Sequence, residues 1–171
     1  MSFTIREAQP DDAAALLAHI KTVLAEPLID IPLTPEEYDR SVDEERDILQ
    51  KYLETPNSRF LVAVDAAGRI IGEANLRGSR PRALQHAVEL GLSVNRDWRD
   101  QGVGSALIRH LIDWARETGI ITRIELRVYA RNARALHVYE KFGFELEGHR
   151  RRAIFQDGAY QDDLLMALLL D

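Results

Sequence analysis

The chain has 171 residues, of which 46% are apolar and 29% charged, with a net charge of −6 and no cysteine. These values suit one globular domain with a real core, and they exclude disulfides, thiolate metal sites and a cysteine nucleophile. The acidic balance argues against a general affinity for nucleic acid, no apolar run approaches the ~20 residues that cross a bilayer, and charges follow Met1 too closely for a secretory leader. The expectation is a soluble, cytoplasmic protein with neither nucleic acid nor membrane as partner.

Phe3-Thr4-Ile5-Arg6 alternates as a half-buried strand does. Pro10-Asp11-Asp12 offers a helix start, and Leu16, Leu17, Ile20 and Leu24 recur at helical spacing after it. Pro27, Pro32 and Pro35 break that helix; a second is expected through Tyr38 to Leu53, stopping before Pro56. Glu26 to Glu54 holds ten acids against three bases. Such a run is ordinarily a solvated helix face; the sharper alternative is an acidic rim that attracts a cationic amine.

Phe60 to Val64 reads as a strand, Asp65-Ala66-Ala67-Gly68 as a turn, and Ile70 to Leu76 as the returning strand of a hairpin. A basic loop, Arg77 to Arg82, precedes another strand from Ala87 to Val94. Asn95 to Gln101 is a polar connection. Val103, Ala106, Leu107, His110, Leu111 and Trp114 then mark an amphipathic helix ended by Gly119. Ile124 to Val128 is a strand, Asn132 to Lys141 a short helix, and Phe142-Gly143-Phe144 leads into a last hairpin that turns at Asp157-Gly158. The order is β-α-α-β-β-β-α-β-α-β-β, without repeat or linker.

Gly102-Val103-Gly104 stands where a strand has ended and a helix begins. A helix N-terminus carries unpaired N–H groups and partial positive charge, glycine lets a ligand approach the backbone, and Arg99 adds a fixed cation. Together these form an anion cradle suited to a diphosphate. No Gly-x-x-x-x-Gly-Lys run exists for a Walker loop, and Leu107 stands where a dinucleotide fingerprint needs its third glycine.

The run Leu92-x-Val94-x-x-x-x-Arg99-x-x-Gly102-x-Gly104-x-x-Leu107 closely resembles the acetyl-CoA signature of the GNAT superfamily of N-acetyltransferases. A second block, Asn132-x-x-Ala135-x-x-x-Tyr139-x-Lys141-x-Gly143-Phe144, resembles the same family in the right order and spacing. The resemblance implies an α/β (α+β) GNAT fold: a mixed central sheet of about seven strands, splayed at the cofactor site, with helices on both faces. It implies acetyl-CoA as co-substrate and no metal. It maps the pyrophosphate onto Arg99, Asp100, Gln101, Gly102, Val103, Gly104 and Ser105, and the pantetheine arm onto Leu92, Ser93 and Val94, with Asn132 and Ala135 beside it. Tyr139 becomes the acid that protonates the leaving thiolate.

An attacking amine must lose a proton, so a base is needed. Glu89, a carboxylate in an otherwise apolar strand that leads to the cofactor site, is the first candidate, because burial there would raise its pKa. Glu73 is second and His86 third. A bulge near Gly91 would reverse the face that Glu89 occupies. The five histidines show no close metal-ligand spacing. The segment Gly148 to Met166 looks like the branch holding ribosomal-protein N-terminal, polyamine and amino-acid acetyltransferases. The expected acceptor is a small amine or amino acid, with a peptide N-terminus second; the acceptor itself, the acyl preference and the oligomeric state (a homodimer fits the family) have no signature. The competing class is a non-catalytic acyl-CoA-binding domain on the same fold.

Overall fold

The computed structural model describes residues 2–170. Seven strands, β1 (Phe3–Glu7), β2 (Arg59–Asp65), β3 (Ile70–Gly78), β4 (Ala87–Val94), β5 (Arg123–Tyr129), β6 (Glu145–Gln156) and β7 (Ala159–Leu169), form one sheet in the order β1-β2-β3-β4-β5-β7-β6. All neighbours are antiparallel except β4 and β5, which run parallel. A parallel pair needs a long crossover, supplied here by α3 (Val103–Glu117).

The near-continuous apolar run of β2 is explained by burial on both faces. Phe60, Val62 and Val64 pack with Leu16 and Leu49 from α1 (Ala13–Leu24) and α2 (Val42–Glu54). Leu61 and Ala63 face the larger core, which gathers Leu107, Ile108 and Leu111 of α3 and Tyr139 of α4 (Ala133–Lys141). Helices therefore lie on both faces, as the resemblance implied. No helix among the described residues is long and apolar enough to cross a membrane.

The element order is the expected one, with shifted boundaries. The second helix starts at Val42 rather than near Tyr38. Ser41 Oγ accepts from the Glu44 amide at 3.2 Å and the Glu44 carboxylate accepts from the Ser41 amide at 2.8 Å, a reciprocal cap that fixes the helix start. Tyr38 is left in the preceding turn, free to point inward. Strand β3 runs on through Arg77 and Gly78, which the sequence placed in a loop.

The β3–β4 register runs without a shift from Gly72↔Val94 to Gly78↔Val88, so no bulge occurs at Gly91. A Cβ at Gly91 would come within 2.9 Å of Asn75 Nδ2; the glycine makes room for that side chain.

Replacing Ser41 by Ala removes the α2 cap and is expected to cost about 1 kcal/mol. In a chain of this size that lowers Tm by roughly 2–4 °C in a thermal melt.

Candidate active site

Strands β4 and β5 pair only at Ala87↔Arg123, Val88↔Ile124 and Glu89↔Glu125. Beyond that point β4 stays paired to β3 as far as Val94, and β5 stays paired to β7 as far as Tyr129. The two strands therefore part, and the gap between them is a cleft of about 770 Å³. The Asn95 amide bonds the Ile71 carbonyl on the β3 side. Because peptide groups alternate along a strand, the Leu92 and Val94 amides point the other way, into the gap.

Past the end of β4 the chain turns through two left-handed residues, Asp100 (φ +60°) and Gly102 (φ +83°), the latter capping α3. The first bond of the helix runs from the Ala106 amide to the Gly102 carbonyl at 2.9 Å. The amides of Val103, Gly104 and Ser105 thus have no carbonyl within the helix and face outward with the positive end of its dipole. Arg99 is less free than its sequence position suggests: Nε donates to the Val94 carbonyl at 2.9 Å and the guanidinium pairs with Glu26 at 2.6 Å. Half-exposed Arg134, 3.5 Å from Asp100, is a further cation at this mouth.

Leu92, Ser93, Val94, Arg99, Asp100, Gly102, Val103, Gly104, Ser105, Asn132, Ala135 and Tyr139 all line the cleft; Gln101 does not. Asn132 caps α4, its Oδ1 accepting from the Ala135 amide at 3.1 Å, which leaves its amide nitrogen for a ligand. Tyr139 is buried against Phe144, with ring centroids 5.7 Å apart. Burial, reinforced by the negative charge of Glu73, pushes its phenol up to about 12.

The two carboxylates weighed from the sequence lie on the same face of the sheet, the one covered by α1 and α2. Glu73 stands opposite Ser93, and Glu89 opposite Arg77, in one register. Their surroundings differ. Glu89 is outside the cleft lining and ion-paired to Arg77 at 2.5 Å and Arg127 at 3.4 Å. Burial pushes its carboxyl up, but hydrogen bonds and charge from the two guanidiniums outweigh that and hold it below its usual range.

Glu73 is 8% exposed, lines the cleft and has no cationic partner within ion-pair distance among the described residues. Burial pushes it up to about 7 against hydrogen bonds from Ser93 and Asn75, and the charge of Glu45 adds to the rise. His86 does not line the cleft.

Beside Glu73 lies a polar cluster that the sequence did not announce. Glu45, 1% exposed, accepts from the Tyr38 hydroxyl at 3.3 Å and from Arg40 at 3.1 Å. Tyr52 donates to Asn75 Oδ1 at 3.0 Å. Burial holds both phenols above their ordinary range, Tyr52 at about 12. No grouping of three or more metal-binding side chains occurs among the described residues.

A parallel pair forced apart beside an open helix N-terminus, with a buried carboxyl and a buried phenol on the cleft, is the arrangement that the GNAT resemblance implied. The acetyltransferase (GNAT) family model matches residues 25–144. The chain belongs to that family and is an acetyl-CoA-dependent N-acetyltransferase. Among its relatives, the L-amino acid N-acetyltransferase AaaT of Escherichia coli is 33% identical over 119 residues, 69% of this chain and 72% of that protein. The spermidine N(1)-acetyltransferase of Vibrio cholerae is 28% identical over 134 residues, 78% of this chain and 76% of that protein. A GNAT-family acetyltransferase from Streptococcus pneumoniae has the same fold, with a TM-score of 0.94 at 31% identity over 99% of this chain and 100% of its own.

The site fits acetyl-CoA on its own chemistry: free amides at the start of α3 for phosphate oxygens, and unpaired strand amides for an arm that itself carries amides. Replacing Gly102 by Ala places a Cβ at φ +83°, a strain of about 1–2 kcal/mol. A Cβ at Gly104 comes no closer than 3.7 Å to Leu92 and Val94, ordinary contact. Gly102→Ala is expected to lower both Tm and CoA affinity, whereas Gly104→Ala lowers CoA affinity with Tm nearly unchanged. Calorimetric titration with CoA, paired with thermal melts, checks both.

Proposed function

We propose that this chain acetylates the amino group of a small amino acid, with Glu73 as base and Tyr139 as acid in a ternary complex. The observation that carries the reading is the environment of Glu73: a buried carboxyl on the cleft, paired with no cation among the described residues and poised near neutrality. A base working at pH 7 needs a pKa near 7. Glu89, anchored between two guanidiniums, is the poorer candidate, because its affinity for a proton is lowered.

Each group has one task. Glu73 takes the proton of the incoming ammonium, directly or through one water. The Val94 amide, unpaired in the gap, hydrogen-bonds the acyl oxygen as it gains negative charge. Tyr139 stays protonated across the working range and gives its proton to the departing sulfur. The free amides of Val103 to Ser105, with Arg134 nearby, hold the diphosphate, and Asn132 the arm. Acetyl-CoA contributes the activated acyl group when bound.

The acceptor class follows from charge. Arg77 and Arg127 line the cleft and share Glu89, which lies behind them. Two positive charges against one negative leave a net positive wall facing the acceptor. That wall suits a carboxylate and repels a polyamine. Between the kinds of acceptor named for the relatives, an amino acid matches and spermidine does not.

Glu73→Gln is expected to lower kcat/KM by about 10²- to 10⁴-fold, the usual worth of a general base, and to abolish the rise of kcat/KM with pH through about 7. Glu89→Gln should retain that rise. Thiol release from acetyl-CoA over pH 5.5–9 reads both, and a Glu73→Gln enzyme of undiminished activity overturns the assignment.

Arg77→Gln should raise KM for an amino acid about 10-fold, the loss of a charge-assisted hydrogen bond at a half-exposed site. KM for the corresponding amino-acid amide should stay unchanged. Equal effects on acid and amide would refute the anionic acceptor.

A further inference from the structure

Glu73 has a polar neighbour on its own strand that takes no part in the chemistry above. Asn75 stands two residues further along β3, so both side chains leave the same face of the sheet. Its Nδ2 donates to Glu73 Oε2 at 3.3 Å, and its Oδ1 accepts from the Tyr52 hydroxyl of α2 at 3.0 Å. All three side chains line the cleft. Two hydrogen bonds thus join helix to carboxyl in one line: Tyr52, Asn75, Glu73.

The donor inventory gives that line one direction. An ionised carboxylate only accepts, so the end of the amide that meets Glu73 is its NH₂ group. The carbonyl end then faces Tyr52 and can only accept, so the phenol donates. The phenol keeps its proton throughout the working range, because burial pushes it up to about 12. Its ring packs edge-on against Phe60, with centroids 5.2 Å apart, which fixes where the hydroxyl points. Strand β4 leaves room for the amide: Asn75 stands opposite Gly91, where a Cβ would lie 2.9 Å from Nδ2 and 3.3 Å from Oδ1.

We propose that Asn75 is a positioning residue for the base: held by the Tyr52 hydroxyl in the space left by Gly91, its amide presents an N–H to the ionised Glu73 and fixes that carboxylate on the cleft. This assignment rests on Glu73 being the base. Without the Tyr52 hydroxyl the carbonyl end of the amide loses its partner, and the amide is less firmly held with its nitrogen toward Glu73. Without Asn75 the carboxylate loses the donor altogether.

Other charged and titratable groups face Glu73 from the elements packed around it. Glu45 of α2 is paired to Arg40 of the preceding loop, with Tyr38 beside it. Arg77 of β3 and Arg127 of β5 are both held by Glu89 of β4. Tyr139 comes from α4, its phenol pushed up to about 12 by burial. His19 of α1 lies 3.0 Å from the hydroxyl of Ser93, the residue opposite Glu73, and burial pushes its ring down to about 4. Neither Tyr139 nor His19 therefore changes charge near pH 7, where Glu73 titrates.

The test is the pH profile of kcat/KM for Asn75→Leu, Asn75→Asp and Tyr52→Phe. Loss of a donor to the charged form raises a carboxyl pKa. The acidic limb is therefore expected to move to higher pH by roughly one unit in Asn75→Leu, which keeps the shape of the side chain. Asn75→Asp sets a negative charge where the N–H was and should move the limb further in the same direction. Tyr52→Phe leaves the ring on Phe60 and should move it the same way by less. Combined with Asn75→Leu, Tyr52→Phe should add nothing, because the hydroxyl acts through the amide.

A limb that stays put in Asn75→Leu while activity or Tm falls makes the asparagine purely structural and overturns the proposal. An unmoved limb in Tyr52→Phe, or shifts that add in the double variant, overturns the role of the hydroxyl in holding the amide. Glu73→Gln is run alongside. If the limb survives in that variant, the base assignment itself has failed; if it disappears there but is unmoved in Asn75→Leu, the base stands and the positioning role has failed.

Discussion

The site depends on β4 and β5 ceasing to pair after Glu89↔Glu125. Unpaired backbone is costly in a dry interior, and this sheet tolerates it because each strand keeps its outer neighbour: β3 holds β4 as far as Val94, and β7 holds β5 as far as Tyr129. The gap leaves peptide groups that a ligand can satisfy. The same parting places the end of β4 beside the start of α3, so strand amides and helix amides open onto one cleft.

The gap also sorts the two carboxylates. Glu73 and Glu89 share a face and differ in distance along the ladder. Glu89 sits where β4 is still paired on both sides, within reach of an arginine from each neighbouring strand. Glu73 sits opposite the open end, where its neighbours are neutral donors from Ser93 and Asn75 and the negative Glu45. Removing a carboxylate from water raises its pKa, and a nearby cation lowers it. The first effect prevails at Glu73 and the second at Glu89.

The order of elements was legible because each strand and helix carries its own period and its own breakers. The glycine loop was legible because Gly102 adopts a left-handed conformation that few other residues tolerate. The surroundings that separate Glu73 from Glu89 were not. Both glutamates interrupt apolar strands, and a sequence shows neither where pairing ends nor which arginine stands across the ladder. Tyr38 stays outside the helix that its neighbours suggest, because the Ser41–Glu44 cap starts α2 at Val42.

The acidic stretch before β2 shows why charge counts mislead about binding. Three of its acids line the cleft, yet each is matched to a cation. Glu26 holds Arg99 at 2.6 Å, Asp30 holds Arg131 at 2.7 Å and Glu45 holds Arg40 at 3.1 Å. The first two tie the proline-rich segment to the connections after β4 and after β5, on either side of the gap. Gln156 of β6 adds a hydrogen bond to the Ile31 carbonyl at 3.2 Å. An attractive rim for a cation would need these carboxylates unpaired. Paired, they fasten a wall across the cleft and leave Glu73, among the described residues, as a carboxylate there without a cation. On the proposed reading, in which Glu73 takes the proton of the ammonium, that wall favours an acceptor whose remaining charge is negative.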